Sequence, residues 1–324
     1  MGRLWKVLAL LAIVLAVLYG WLLDSTGPAT VAPQKLDLAV LRREANAMPG
    51  AKPTALEYAA VASRTVPGAV IAAGTGLRQV CVAAIAWKVV APGGDIVIDT
   101  AMSRADAQDM GFNTFDPAAS RTVQGWIDSA ALILLTHGHI DHVGGYLDHP
   151  RFRAVADKAL ITPGLKRGIT SLWRENARYL PASRPLAPIQ AVAPGVVAIQ
   201  TPGHTPASQM FFVTLQSGRE YLFAGDTASM FANVQRPTPR ARLMTDWLAP
   251  EDRRAVIGWL KAIKPMTEAR KPVTVIPSHD IDWIDATADE EDYVRAPLPG
   301  AVPKRHGARA GAVHGRNFGS VQGK

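Results

Sequence analysis

Thr136-His137-Gly138-His139-Ile140-Asp141-His142-Val143-Gly144-Gly145 is the stretch on which the reading of this chain turns. Three histidines and a carboxylate fall within six positions, directly after the apolar run Ala130-Ala131-Leu132-Ile133-Leu134-Leu135, which reads as a buried strand. Side chains alternate along extended backbone, so His137 and His139 point the same way, while Asp141 and His142 continue into a turn and the start of a helix. Such a set can face two neighbouring metal ions rather than one. Imidazole nitrogen and carboxylate oxygen suit zinc, and also iron or manganese, and no cysteine stands nearby to make the site a soft one. Scattered surface histidines are the alternative, but so dense a cluster behind a buried strand has little packing rationale.

The pattern of a β run ending in a ligand type recurs three times downstream. Val196 to Gln200 leads to Thr201-Pro202-Gly203-His204-Thr205-Pro206, Tyr221 to Ala224 leads to Gly225-Asp226-Thr227, and Val273 to Ile276 leads to Pro277-Ser278-His279-Asp280. Glycine or proline at each end permits a sharp turn and a close backbone approach at the rim. Pro67 to Ala72, Arg78 to Val90, Ile96 to Asp99 and Met210 to Leu215 read as further strands, and Ser120 to Asp128 as a helix.

Taken together, HxHxDH, a distant His in PGHT, then GD, then a late His resemble the metallo-β-lactamase superfamily of dinuclear metallohydrolases, over roughly residues 65 to 285. The resemblance implies an α/β fold, a four-layer αβ/βα sandwich with two divalent metal ions at one edge between the sheets. Carried over residue by residue, it implies that His137, His139 and His204 hold one ion, that Asp141, His142 and His279 hold the other, and that Asp226 bridges them. Asp99, at the end of Ile96-Val97-Ile98, matches a carboxylate that orients a ligand from behind. The implied chemistry is hydrolysis by a metal-bridging hydroxide, with zinc as the leading candidate, Asp141 carrying a proton to the leaving group and Asp226 holding the ions together.

Superfamily members act on many substrates, so the fold leaves the substrate open. The motif context resembles N-acyl homoserine lactone lactonases, in the PGHTP run and in His279-Asp280-Ile281, which implies a lactone or another carboxylic ester. Those lactonases often carry a tyrosine three residues after the bridging Asp, where this chain has Ser229. Tyr146 and Tyr179 are candidates to take its place. Segments 166 to 190, with Trp173, and 228 to 248, with Met230, Met244 and Trp247, are placed to overhang the metals and supply an apolar wall. A phosphodiesterase, nuclease or thioesterase of the same superfamily is the alternative. Arg236, Arg240 and Arg242 cluster as a nuclease would require, but Pro237 and Pro239 separate them and no stacking aromatics accompany them, which argues against nucleic acid.

The 324 residues, 48% of them hydrophobic, are ample for one large domain with appendages. Val7 to Leu23 carries no charge and, with Leu4 and Trp5, is long enough to span a bilayer. Arg3 and Lys6 put the positive end in the cytoplasm and the rest of the chain on the periplasmic or extracytoplasmic side. Cleavage near Ala29-Thr30-Val31-Ala32, giving a secreted protein, is the rival to this signal anchor. The expected division is therefore an anchor over 1–24, a linker over 25–60 with a short helix at Leu36 to Met48, a catalytic domain over 61–290 and a tail over 291–324. Five basic residues and no acidic ones after position 300 supply most of the net charge of +8 and predict a disordered end. With Cys81 as the one cysteine, no intrachain disulfide can form.

Overall fold

A computed structural model describes residues 2–28 and 30–297, so the predicted tail beyond position 297 lies outside the described residues. In chain order the strands are β1 (Ala55–Pro67), β2 (Gln79–Val90), β3 (Ile96–Ile98), β4 (Thr114–Phe115), β5 (Leu132–Leu134), β6 (Ile189–Ala193), β7 (Val196–Gln200), β8 (Gln209–Thr214), β9 (Glu220–Phe223), β10 (Thr274–Ile276) and β11 (Tyr293–Arg295). One sheet has the order β11-β1-β2-β3-β5, with β4 on β1, and the other has β10-β9-β8-β7-β6.

Three apolar cores stack these sheets into four layers. Tyr58, Ile85, Trp87 and Ile98 of the first sheet meet Phe211, Val213, Tyr221 and Phe223 of the second. Alternation sends Met210 and Phe212 to the outer face, where they pack on Leu41, Val256, Leu260 and Ile263. Val97 and Ile133 face outward from the first sheet onto Val123, Ile127, Val143 and Leu147. Because each sheet is covered on both faces, its strands read as continuous apolar runs.

The domain is wider than the sequence reading placed it. Ala55–Pro67, split between the expected linker and domain, is one strand, and the helix Leu38–Glu44, capped by the Asp37 carboxylate, buries Leu41 against the second sheet. At the other end the helix Ile281–Glu291 leads into β11, which pairs in parallel with β1 as an edge strand, so residues 291–295 belong to the fold rather than begin a tail. The strand expected over Pro67 to Ala72 is the end of β1 followed by a helical turn, Gly68–Ile71.

The helix through Gly2–Asp24 is, among the described residues, the one long and apolar enough to cross a membrane, with a mean hydropathy of 2.4 and none of that apolar window buried.

Candidate metal centre

Strand ends bring the site together. β5 runs parallel to β3, and β10 parallel to β9, so their C-terminal ends share a rim with that of β7. His137 follows β5, His139 caps the helix Ile140–Leu147, and Asp141 and His142 occupy its first turn. His204, Asp226 and His279 follow β7, β9 and β10. The Gln209 N–H, donating to the Thr136 carbonyl at 2.7 Å, and its side-chain amide, donating to the Leu135 carbonyl at 3.1 Å, tie the two rims together. Two glycines are required by contact. A Cβ at Gly145 would lie 2.0 Å from the Thr100 carbonyl oxygen, and Gly225 has φ +51° and would meet Thr136 at 2.9 Å.

Seven side chains form two adjoining groups, His137, His139, His204 and Asp226 in one and Asp141, His142 and His279 in the other. His204 Nε2 lies 3.2 Å from His137 Nε2 and 3.0 Å from His139 Nδ1, which is itself 3.0 Å from His137 Nε2. Three imidazole nitrogens converging on one point cannot all be satisfied by sharing ring protons. Nitrogens held about 2.05 Å from a tetrahedral zinc stand about 3.3 Å apart, so this triangle fits a cation. Asp226 faces both groups. Its Oδ2 is 3.4 Å from His204 Nε2, while its Oδ1 is 2.8 Å from His279 Nε2 and 3.3 Å from His142 Nε2.

Three of the ligand candidates, His142, His204 and His279, are oriented from behind. His142 Nδ1 is 2.8 Å from Asp99 Oδ2, and Asp99 also accepts from the Thr136 N–H at 2.7 Å and the Thr136 hydroxyl at 2.8 Å. To do so Asp99 holds φ +54°, a strained conformation for a non-glycine residue. His279 Nδ1 lies 2.8 Å from the Ala83 carbonyl, and His204 Nδ1 lies 3.0 Å from Glu251 Oε2. A proton kept on each of these Nδ1 atoms leaves Nε2 free to face the cluster.

Electrostatics separate the two groups. Burial pushes His137 well below its ordinary range and lowers His139. His204 is lowered to about 4 by burial and by the Arg240 guanidinium. These imidazoles are therefore neutral at pH 7, as a ligand must be. Burial opposes charge on His142 and His279 too, but Asp141 and Asp226, joined at His142 by Asp99, outweigh it and raise both. For Asp226 burial acts upward, yet the surrounding histidines hold it well below the usual carboxylate range. The negative charge of these carboxylates is what cations would offset in place of protons on the two rings.

Sequence reasoning missed Glu251 and gave Arg240 no part in the cluster. Arg240, grouped above with Arg236 and Arg242, is buried at 8% exposure, 3.4 Å from Asp226 Oδ2 and 3.0 Å from Glu251 Oε2, and it also touches His204. No motif announces either residue. Of the other candidates, Tyr146 is fully buried and its hydroxyl donates to the Ala156 carbonyl at 2.8 Å, so it cannot reach a substrate. Trp173 is 94% exposed on the wall of a separate cavity beside Lys166 and Arg178, and Tyr179 packs under the Arg153 guanidinium. The tyrosines thus supply no replacement for the missing one. Ser229 does line the cavity at the cluster, and its buried hydroxyl has no partner. That cavity, of about 320 Å³, is walled by Ile71, Val82, Phe112, Leu172 and Met244, with Asp141, Asp226 and His279 at its floor.

A buried His/Asp cluster suited to metal ions, set at the strand ends of a four-layer sandwich, defines a class of metallohydrolases. The family model of the metallo-beta-lactamase superfamily matches residues 84–279, and the chain belongs to that superfamily. No curated protein matches the sequence significantly. Among solved structures, an N-acyl homoserine lactone hydrolase with the product N-hexanoyl-L-homoserine bound at its catalytic metal centre is 19% identical, with a TM-score of 0.57 over 72% of this chain and 96% of that one. The dizinc quorum-quenching lactonase AidC is 14% identical, with a TM-score of 0.51 over 73% and 91%. A probable metal-dependent hydrolase from Staphylococcus aureus is 13% identical, with a TM-score of 0.55 over 72% and 91%. At these identities the likeness establishes the fold.

Proposed function

We propose that this metallohydrolase opens a lactone or another carboxylic ester at a two-ion centre, most simply with zinc. The observation that carries the reading is Asp226, whose two oxygens face the two ligand groups separately. Divalent cations held there would acidify a water and polarise the scissile carbonyl. The chain's own residues do the rest. Asp226 and the histidines fix the two positions, and Asp99, Glu251 and the Ala83 carbonyl keep the rings aimed. Asp141 lies at the floor of the cavity with Oδ2 3.7 Å from His279 Nε2, placed to hand a proton to the departing oxygen as the acyl carbon–oxygen bond breaks. Water enters the carbonyl carbon, and a hydroxy acid, or an acid and an alcohol, leaves.

The apolar wall favours an acyl chain or another apolar group beside the scissile bond. The phosphodiester alternative has one observation of its own, the half-buried Arg64 in that wall, whose Nε is unpartnered. We read the N-terminal helix as an anchor that holds the domain on the extracytoplasmic face. Purified full-length chain offered an acyl homoserine lactone, a thioester, a phosphodiester and a β-lactam should open the lactone and lose that activity to a chelator, with return on added zinc, manganese or iron. Activity confined to the phosphodiester, or indifference to chelator, would overturn the reading.

A further inference from the structure

The apolar helix does not hang free of the domain. Its length is unburied, but its end is fastened at three points. The Gly74 N–H donates to the Leu23 carbonyl at 3.1 Å, Arg253 donates to the Ser25 carbonyl at 2.6 Å, and the Arg242 guanidinium lies 3.9 Å from the centre of the Trp21 ring. The segments that receive it also form one wall of the cavity over the metal cluster. Ile71, three residues before Gly74, and Arg240 and Met244, on either side of Arg242, line that cavity. Hydrogen bonds from the Ala73 N–H to the Pro239 carbonyl, 2.9 Å, and from the Ala241 N–H to the Val70 carbonyl, 3.1 Å, zip the two segments together.

The same two segments also carry large apolar side chains exposed to solvent. In the turn Met244–Leu248, Met244 points into the cavity while Trp247 and Leu248 are 59% and 68% exposed, and Leu77, three residues after Gly74, is 56% exposed. Large apolar side chains left in water beside a span-length helix mark a membrane-facing surface rather than a random scatter. Arg78 and Arg236 are exposed on the same two segments, where anionic headgroups would meet them.

We propose that this wall docks on the phospholipid bilayer, with Trp247, Leu248 and Leu77 entering the interfacial layer beside the anchor. The cavity then stands at the membrane surface and takes an ester whose apolar tail is dissolved in the bilayer. The proposal rests on the anchored-hydrolase reading above, and its test separates the two.

The full chain, carrying Cys81→Ser and Trp247→Cys with an environment-sensitive fluorophore on the new thiol, is reconstituted in vesicles of phosphatidylcholine and phosphatidylglycerol. Spin-labelled lipids should quench the fluorophore at position 247 and leave one at position 121, on the far helical layer, unquenched. In vesicles the double variant Trp247→Ser/Leu248→Ser should hydrolyse a long-chain lactone about ten-fold more slowly, since each apolar side chain withdrawn from the interface weakens docking. A short-chain, water-soluble lactone should be hydrolysed at the unaltered rate. An unquenched probe at position 247, or equal loss on both substrates, would overturn the docking. Quenching at position 247 in a chain inactive on every ester would sustain the docking and overturn the ester reading instead.

Discussion

The floor and the wall of the cavity are built by opposite means. The floor takes its side chains from the ends of β5, β7, β9 and β10, and three of its rings, His142, His204 and His279, are backed by Asp99, Glu251 and the Ala83 carbonyl. The wall comes largely from connecting segments, 68–76, the stretches around Phe112 and Leu172 and 236–249, joined by Arg64 of β1 and Val82 of β2, and most of its members are apolar side chains. A rigid floor serves a reaction that tolerates little misplacement, and a wall of connections is free to vary with the substrate. Floor substitutions should therefore cut turnover and metal content together, whereas wall substitutions should shift substrate preference with the metal retained.

The largest effect belongs to Asp226→Ala. Without the carboxylate that faces both groups the histidines lose their shared counter-charge, and on the two-ion proposal turnover should fall by about three orders of magnitude with loss of one metal equivalent. Metal analysis beside lactone hydrolysis reads both, and full turnover in this variant would remove the bridging role. Asp99→Ala comes next. It strips His142 of the acceptor for its Nδ1–H and leaves the Thr136 N–H and hydroxyl buried without that partner. Metal affinity should fall about ten- to hundred-fold. An affinity within two-fold of the parent, read by competition with a chromogenic chelator, would make Asp99 a fold residue only.

The floor's gathering of side chains was legible because these residues sit where sequence carries local information. His137, His139, Asp141 and His142 lie within six positions, and His204, Asp226 and His279 each follow a short apolar run and a glycine or serine. Asp99 was legible as the polar residue that stops Ile96-Val97-Ile98. Arg240 and Glu251 were not, because their tie to His204 spans 36 and 47 residues of chain and leaves no spacing to read. The start of the domain was blurred for a related reason. β1 is alanine-rich and substantially buried on both faces over much of its length, so no period-2 pattern separates it from the preceding linker.

Glu251→Gln sharpens the comparison between the floor's backing and its ligands. It keeps the size of the side chain but removes the charge facing Arg240 and His204, at 3.0 Å from each. Loss of one partner from a buried ion pair costs about 3–5 kcal/mol when the other charge is stranded. Here Asp226 still faces Arg240, so the thermal midpoint should drop by less than that range implies, and metal affinity should fall about ten-fold. A melt that shifts with metal content unchanged would assign Glu251 to packing.

The smallest effects come from two hydroxyls the sequence placed together as substrate contacts and the structure separates. Tyr146→Phe removes one buried hydrogen bond, to the Ala156 carbonyl, and should lower stability by about 1 kcal/mol with kcat and KM unmoved. Ser229→Ala removes a buried hydroxyl that has no partner within the protein, so stability should hold within about 0.5 kcal/mol or rise slightly. If that hydroxyl meets the substrate in the cavity, KM for the lactone should rise by about three- to ten-fold, the equivalent of one lost neutral hydrogen bond. Denaturant melts and steady-state kinetics on the two variants separate the cases. An unaltered KM in Ser229→Ala would leave the substrate to the metals and the apolar wall alone, and would make the wall's shape the whole basis of selection.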